Sequence, residues 1–463
     1  MVDDANEDIR SFRPPAPQPS SGPLPSLLLL RAVLFNPLEL WRHEHFEEPV
    51  VVERTPLGTR LVVSEPALIK WILVDNAANY VRDSMQQRIV LRMTGRGLFS
   101  AEGADWHLQR KALAPLFSAK TVNAYLPGMT AAAEDAVRRF RISANEGIDL
   151  GYEMSALTVD VLGRTVFPHG LGESPAAIAT SVRQFANTNG PVELGDIFSL
   201  PPWMPGVRRI LGWRATTLVR QRAQRIIAEA RTSDQSQVGE LFSAMFSARD
   251  PQTGKALGSR AIESNVSTLI GAGSDTVAVA LTWSIFLLSQ APHVREAVEA
   301  EVDTHLTTEP LSVDTLKELV WTRAVVEESM RLYPPAPMIG RMACSEDMLG
   351  GERVPAGASI LISPWVLHRH ARLWSEPDMF NPERFLPGRR DQISRYAYLP
   401  FGAGPRVCLG MGFAMQEAVV TLATLIKHLR FERADNHPIR LRQCITLQTD
   451  APMRMRIIPR QVR

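Results

Sequence analysis

The stretch that decides the fold is Phe401-Gly402-Ala403-Gly404-Pro405-Arg406-Val407-Cys408-Leu409-Gly410. Its first part is too rich in glycine and proline to continue a regular helix. From Leu409 onward, Phe413, Val419, Leu422 and Leu425 recur at helical spacing. Cys408 therefore stands at a loop-to-helix junction. Unpaired backbone N–H groups at a helix start carry partial positive charge and stabilise an anion, so a lowered thiol pKa is expected there. The glycines let a flat ligand approach the backbone closely. Arg406 adds a permanent cation suited to a carboxylate. Against this stands the ordinary role of a cysteine, a small buried hydrophobe. Cys344, Cys408 and Cys444 form no C-x-x-C pair, which argues against structural zinc. So sparse and odd a set makes no disulfide framework, and a reducing, cytoplasmic setting is expected.

The second informative stretch runs from Ser264 to Pro292, where Asp275 is the one formal charge. Val266, Leu269, Ile270, Gly273, Val277, Ala280, Leu281, Ser284 and Leu288 follow a helical stripe, and the remainder is weakly polar. A helix apolar nearly all round belongs in a protein interior or a membrane. Gly271, Gly273, Ser274, Asp275 and Thr276 interrupt this one too heavily for a comfortable span, so it is expected to run through the middle of the domain. A carboxyl, a hydroxyl and missing side-chain volume at mid-helix suggest a polar niche beside a ligand. The alternative is a threonine bonding back to its own helix and an aspartate reaching solvent.

The remaining chain sets the frame. With 463 residues, 45% apolar and 22% charged, it is ordinary for a globular protein. A formal net charge of +2 argues for no nucleic-acid partner. Acidic residues (Asp3, Asp4, Glu7, Asp8) occupy the place of a signal peptide's positive region. Residues 1–25 read as a flexible, proline-rich leader, and residues 26–463 as one domain. The apolar run Leu27 to Phe35 is far too short for a transmembrane anchor; a short first helix on the body is expected, with a surface-seeking segment as the other reading. Helices are predicted over 126–165 and 214–248, a β-hairpin over 50–54 and 60–64, and further short strands at 350–363 and 439–459. The fold class is therefore mainly α with small β-sheet regions, a long central helix and a monomeric state.

A thiolate, a flat clearing and an arginine are what a haem with its propionates requires. The residues Phe401 to Gly410 match the pattern F-x-x-G-x-R-x-C-x-G, and the chain resembles the cytochrome P450 haem-thiolate monooxygenases from about residue 90 to its end. Glu328-Ser329-Met330-Arg331 resembles the family's E-x-x-R motif, and Asn381 to Phe385 its second arginine segment. Glu328, Arg331 and Arg384 would then brace the haem-binding loop. Trp106 and Arg110 resemble the W-x-x-x-R element, one helical turn apart, that faces a propionate. Arg341 resembles the arginine reaching the other propionate. The resemblance implies haem b, with Cys408 as axial iron ligand and Phe401, Gly402, Gly410 and Ala272 beside the ring. Ala272-Gly273-Ser274-Asp275-Thr276 resembles the oxygen-activation segment, with Thr276 bonding dioxygen and Asp275 delivering protons. Val277 departs from the family, where a second hydroxyl residue is common; an altered relay detail is expected.

No dinucleotide fingerprint follows a strand and no iron–sulfur cysteine set is present, so electrons are expected from a ferredoxin or flavodoxin with its NAD(P)H reductase, drawn to a cationic rim near Arg110 and Lys111. By family analogy, Ile89, Leu91, Phe99, Phe185, Phe198, Leu200, Trp203, Met204, Leu269, Ala272, Met338 and Leu447 are pocket candidates, each equally readable as core. They suggest an apolar substrate: a fatty acid, terpenoid or steroid-like molecule. Arg88, Arg92 and Arg96 would suit a substrate carboxylate or a solvated helix face. Two other functions compete: a peroxide-dependent peroxygenase, which the Asp275–Thr276 pair disfavours, and a non-catalytic gas- or redox-sensing haem protein, for which no output domain is visible.

Overall fold

The computed structural model describes residues 12–461, apart from 56–57, 143–146, 168–169, 199, 201–211, 233–238, 251 and 307–310. Helices of ten residues or more are numbered along the chain. α1 is Ser26–Phe35. α2 (Ser84–Thr94) begins where the Asp83 carboxylate accepts the Met85 and Gln86 N–H groups, and α3 is Gly103–Leu113. The predicted span 126–165 divides into α4 (Leu126–Ile142) and α5 (Leu150–Thr165), the latter capped by Asp149. α6 (Pro175–Asn189) starts with Ser174 as cap and proline in its first turn. α7 is Trp213–Thr232 and α8 is Ser259–Gln290. α9 (Pro292–His305), α10 (Val320–Leu332) and α11 (Met411–His428) complete the set.

α8 is the centre of the fold, as its sequence requires. It packs against α5, α7, α10 and α11, so an apolar surface on every side finds cover. By length and composition it would also cross a membrane, but 67% of that window is buried inside the protein. Trp283 of α8 stacks on Tyr333 with ring centroids 3.7 Å apart, joining the central helix to the segment that leaves α10.

The hairpin of β1 (Val50–Thr55) and β2 (Gly58–Val63) forms where the alternating pattern placed it. It extends through β8 (Ser359–Ile362) and β5 (Ile339–Ala343) to the edge strand β3 (Tyr80–Arg82), with only β2–β8 parallel. A second sheet joins β4 (Ile148–Asp149), β12 (Arg454–Pro459) and β9 (Leu429–Arg433). Two hairpins, β6 (Asp347–Leu349) with β7 (Glu352–Val354) and β10 (Leu441–Gln443) with β11 (Leu447–Thr449), complete the sheet content of the described residues.

Two N-terminal features differ from the sequence reading. From Phe12 onward the proline-rich stretch is extended but docked. Phe12 meets Phe286 of α8 edge-on, and its carbonyl accepts the Phe380 N–H at 3.2 Å. The hydroxyl of the fully buried Tyr333 donates to the Pro15 carbonyl at 2.9 Å. Prolines lose little backbone entropy on docking, so few contacts suffice to hold them. α1 forms as expected but buries only Ala32, leaving Leu27, Leu28, Leu29 and Phe35 exposed.

A chain that begins at Ser20 leaves the Tyr333 hydroxyl buried without its acceptor. It is expected to lose about 1–3 kcal/mol of stability, seen as a lower urea midpoint. An unchanged midpoint would show that the docked stretch contributes nothing.

Candidate functional site

The loop that carries Cys408 is braced from below. Arg331 and Glu328, both on α10 and both fully buried, form a two-point ion pair at 2.7 and 2.8 Å. The remaining donors of Arg331 go to three backbone carbonyls: His368 (2.8 Å), Pro377 (2.6 Å) and Met379 (2.9 Å). Glu328 also accepts the Asn381 N–H at 2.8 Å and lies 3.7 Å from the Arg384 guanidinium. Arg384 in turn donates to the Glu376 carbonyl. The three residues expected to cluster therefore do so.

His368 is the link that sequence reading missed. Its Nε2 accepts the Leu399 N–H at 2.8 Å while its carbonyl receives Arg331. Burial, with Arg331 and Arg369 nearby, pushes its pKa down to about 3, so the ring is a neutral acceptor. Leu399 leads directly into Phe401, whose carbonyl accepts the Cys408 N–H at 2.9 Å. Gly404 has φ of +72°, and a Cβ there would collide with the Leu73 carbonyl. That glycine is obligatory for the turn.

Cys408 lies two residues ahead of Gly410, the N-cap of α11, and lines a cleft of about 1110 Å³. The expected depression of its thiol pKa is not found. Cys408 is exposed to the cleft, yet the protein packed around it pushes the thiol up against the Gly410 N–H and the Arg110 cation, which push it down. A bound metal ion reverses that balance, because a coordinating thiol deprotonates outright.

Four guanidinium groups gather around this loop. Arg406 stacks over Trp106 at 4.5 Å and Arg110 lies 5.5 Å from the same ring. Arg406 donates to the Ala101 carbonyl at 2.8 Å and pairs with Glu102. Arg110 donates to the Val407 carbonyl at 3.1 Å, so it faces inward and is not part of a docking rim; Lys111 beside it is exposed. The fourth member, Arg82, was not singled out from the sequence. Register sets Arg82 on β3 directly opposite Arg341 on β5. Burial and the neighbouring cations, Arg406 among them, lower both pKa values to about 10. Glu102 is the one carboxylate acting on all of Arg82, Arg341 and Arg406. Like charges opposed across strands are unfavourable without a counter-ion.

On α8 the two faces of the oxygen-side segment differ. Ala272 is exposed and Thr276 half-buried, one turn apart, and a Cβ on Gly271 would meet nothing within 4 Å. The Thr276 hydroxyl donates to the Ala272 carbonyl at 2.8 Å. Asp275 points the other way. It is buried, burial raises its pKa, and it does not reach solvent but accepts from Thr446 Oγ1 at 2.6 Å. Among the pocket candidates, Leu447 is fully buried and lies on the Asp275 side of the helix. Ile89, Phe185, Leu200, Leu269 and Met338 are half-buried, and Leu91, Phe99 and Phe198 are exposed. Trp203 and Met204 lie outside the described residues.

These residues fit a haem. No cluster of three or more His, Cys, Asp or Glu is found among the described residues, so a metal at Cys408 needs its other donors from a macrocycle. The under-neutralised arginines call for an anion, and a flat ring with two propionates answers both demands.

Comparison with known proteins agrees. The family model for cytochrome P450 matches residues 22–453. Cyclooctatin synthase of Streptomyces melanosporofaciens is 34% identical over 415 residues, covering 87% of this chain and 88% of that protein. Cyclooctat-9-en-7-ol 5-monooxygenase of the same organism is 35% identical, covering 73% of each chain. The crystal structure of the cytochrome P450DA heme domain superposes with a TM-score of 0.82 at 21% identity, over 96% of this chain and 98% of that one, which establishes a shared fold. The chain belongs to the cytochrome P450 family and is a haem-thiolate monooxygenase whose cofactor is haem b.

Proposed function

We propose that this monooxygenase hydroxylates a neutral terpenoid, holding its haem by Cys408 as axial thiolate and by Arg82, Arg110, Arg341, Arg406 and Trp106 at the propionates. When bound, the haem supplies the activation of dioxygen and its delivery to carbon. Phe401, Gly402 and Gly410 shape one face of its site and Ala272 the other. Thr276 acts as the hydroxyl of the oxygen side once it leaves the Ala272 carbonyl, and Asp275, which faces away from it in the structure, as the more distant source of protons. Glu328, Arg331 and Arg384 hold the cysteine loop in place through His368 and Leu399.

The observation that carries the substrate class is that the candidate cations of the roof are already used. Arg92 spends its donors on Asp196, the Asn189 carbonyl and the Pro191 carbonyl, all at 2.9–3.0 Å. Arg88 donates to the Leu200 carbonyl at 2.7 Å, and Arg96 is exposed. Both half-buried arginines, Arg88 and Arg92, thus tie α2 to the end of α6 and the segment after it. A carboxylate entering that apolar space would lose its hydration without a partner. Among the candidates from the sequence, a fatty acid is therefore disfavoured. Similarity to a monooxygenase named for cyclooctat-9-en-7-ol, an uncharged alcohol, supports the same choice.

Electrons come, in this reading, from a separate ferredoxin or flavodoxin and its NAD(P)H reductase. The cleft that reaches Cys408 is lined by Lys317, Arg323, Arg390 and Arg395 against Glu327 and Asp391, an excess of positive charge suited to an acidic partner. We read the protein as a cytoplasmic monomer.

Titration with neutral diterpenes is expected to shift the haem spin state at concentrations at least about tenfold below those needed for fatty acids, a difference of ~1.4 kcal/mol. Equal or tighter binding of fatty acids would overturn the substrate class. Replacing Arg82 with Leu tests the cofactor assignment by comparing the apoprotein with the holoenzyme. In the apoprotein the relieved Arg82–Arg341 repulsion is set against the lost Arg82 contacts with the Phe99 carbonyl and ring, so little change in stability is expected. The holoenzyme should release haem to an acceptor protein roughly ten- to a hundredfold faster, for a lost charge-assisted bond of ~1.5–3 kcal/mol. Haem loss at the wild-type rate would remove Arg82 from the site.

A further inference from the structure

The loop between α2 and α3 is pressed onto α8, and Asn265 fixes it there. Asn265 is fully buried, and its Oδ1 accepts the Leu98 N–H at 2.7 Å. Two glycines make the close approach possible. Gly95 has φ of +61°, and a Cβ on it would lie 2.6 Å from the Ser264 hydroxyl oxygen. A Cβ on Gly97 would lie 3.0 Å from both Asn265 Oδ1 and the Ser264 carbonyl. Asn265 Nδ2 finds no partner among the described residues, so the side chain serves through its accepting oxygen. The far end of the loop leads to the cationic cluster. Arg82 donates to the Phe99 carbonyl, and Arg406 to the Ala101 carbonyl at 2.8 Å. Between these ends the Ser100 and Ala101 N–H groups turn back onto the Gly97 carbonyl at 3.0 and 2.8 Å, so the loop is tightly wound. Asn265 stands two helical turns ahead of Ala272 on one stripe of α8, about 10 Å away along the axis. That stripe is covered by the loop at Asn265, exposed at Ala272 and half-buried at Thr276. The loop therefore ends the open space over the oxygen-side face. Leu98, half-buried, and Phe99, exposed, are the side chains it brings there.

We propose that Asn265 is a positioning residue for the substrate: by holding Leu98 it sets how far a bound molecule extends along α8, and so which carbon is hydroxylated. The inference rests on the reading of the protein as a neutral-terpenoid hydroxylase with Arg82 and Arg406 at the propionates. A neutral hydrocarbon skeleton offers few polar groups by which to orient it, so the shape of the wall must do so. A displacement of about 1 Å is enough to change which atom reacts. The bond to Leu98 is suited to hold such a wall. Without its acceptor the Leu98 N–H is left buried and unsatisfied, and the loop escapes that cost by moving off α8. Because Arg82 and Arg406 hold the other end, the wall is referenced to the same cations that hold the cofactor.

The test measures the wall with a ruler on the holoenzyme: imidazole and 1-alkylimidazoles of increasing chain length, with binding to the ferric haem read by the Soret shift. In the parent, affinity should rise with chain length and stop rising where the chain meets the loop. Asn265→Leu should leave the affinity for imidazole itself unchanged and carry the rise about two carbons further, which tightens the longer ligands about tenfold. Gly97→Ala should move the limit the same way by less, acting from the loop's side without removing a polar group. Asn265→Asp, kept neutral by burial, retains the accepting oxygen and should restore the parental limit. With redox partners and a neutral diterpene, Asn265→Leu and Gly97→Ala should give a broader set of hydroxylated products. A parental length limit and product set in both variants would overturn the inference, and the glycine variant decides alone where the leucine variant folds poorly. If no diterpene shifts the parental spin state while the limit still moves, the terpenoid reading fails and the wall stands. If diterpenes bind as expected and the limit does not move, only the role of Asn265 fails.

Discussion

The ion pair between Glu328 and Arg331 is the constraint on which the rest depends. Both side chains have no solvent contact, and a lone buried charge of either sign is prohibitive. The pair is tolerable because every remaining donor of Arg331 finds a carbonyl on the stretch 368–379, 37 to 48 residues further along the chain. Losing one partner of such a pair costs about 3–5 kcal/mol, against a domain stability of about 5–15 kcal/mol. Its satisfaction thus fixes where His368, Pro377, Met379 and Asn381 lie, and His368 then fixes Leu399. The cysteine loop inherits its position from that chain of bonds.

A second charge imbalance is left open toward the cofactor. Arg82 and Arg341 face each other across two strands, with Arg406 beside them and Glu102 as common carboxylate. Two half-buried cations opposed across a sheet are unfavourable on their own. A dianionic ligand would relieve that imbalance, and a coordinating metal ion would deprotonate the Cys408 thiol outright.

The central features were legible because they follow from local pattern. The hairpin at 50–63, the all-round apolar helix and the glycine-framed cysteine each carry a periodicity or a composition that few other structures share. What could not be read depends on register and distance. Tyr80-Val81-Arg82 looks like any half-exposed strand until its pairing places Arg82 opposite Arg341. Thr446 lies far from Asp275 in sequence and meets it only in the fold. Arg110 sits on a helix face that sequence alone leaves free to point outward, and the Val407 carbonyl turns it in. The proline-rich stretch reads as loose because nothing local shows that the buried Tyr333 hydroxyl needs an acceptor.

The central claim is that Cys408 presents a thiolate to the haem iron, and the reduced carbon monoxide complex reports on that bond directly. Replacing Cys408 with Ser should abolish the red-shifted Soret band characteristic of thiolate ligation while haem still binds through the arginine cluster. A band that survives the replacement unchanged would contradict the account.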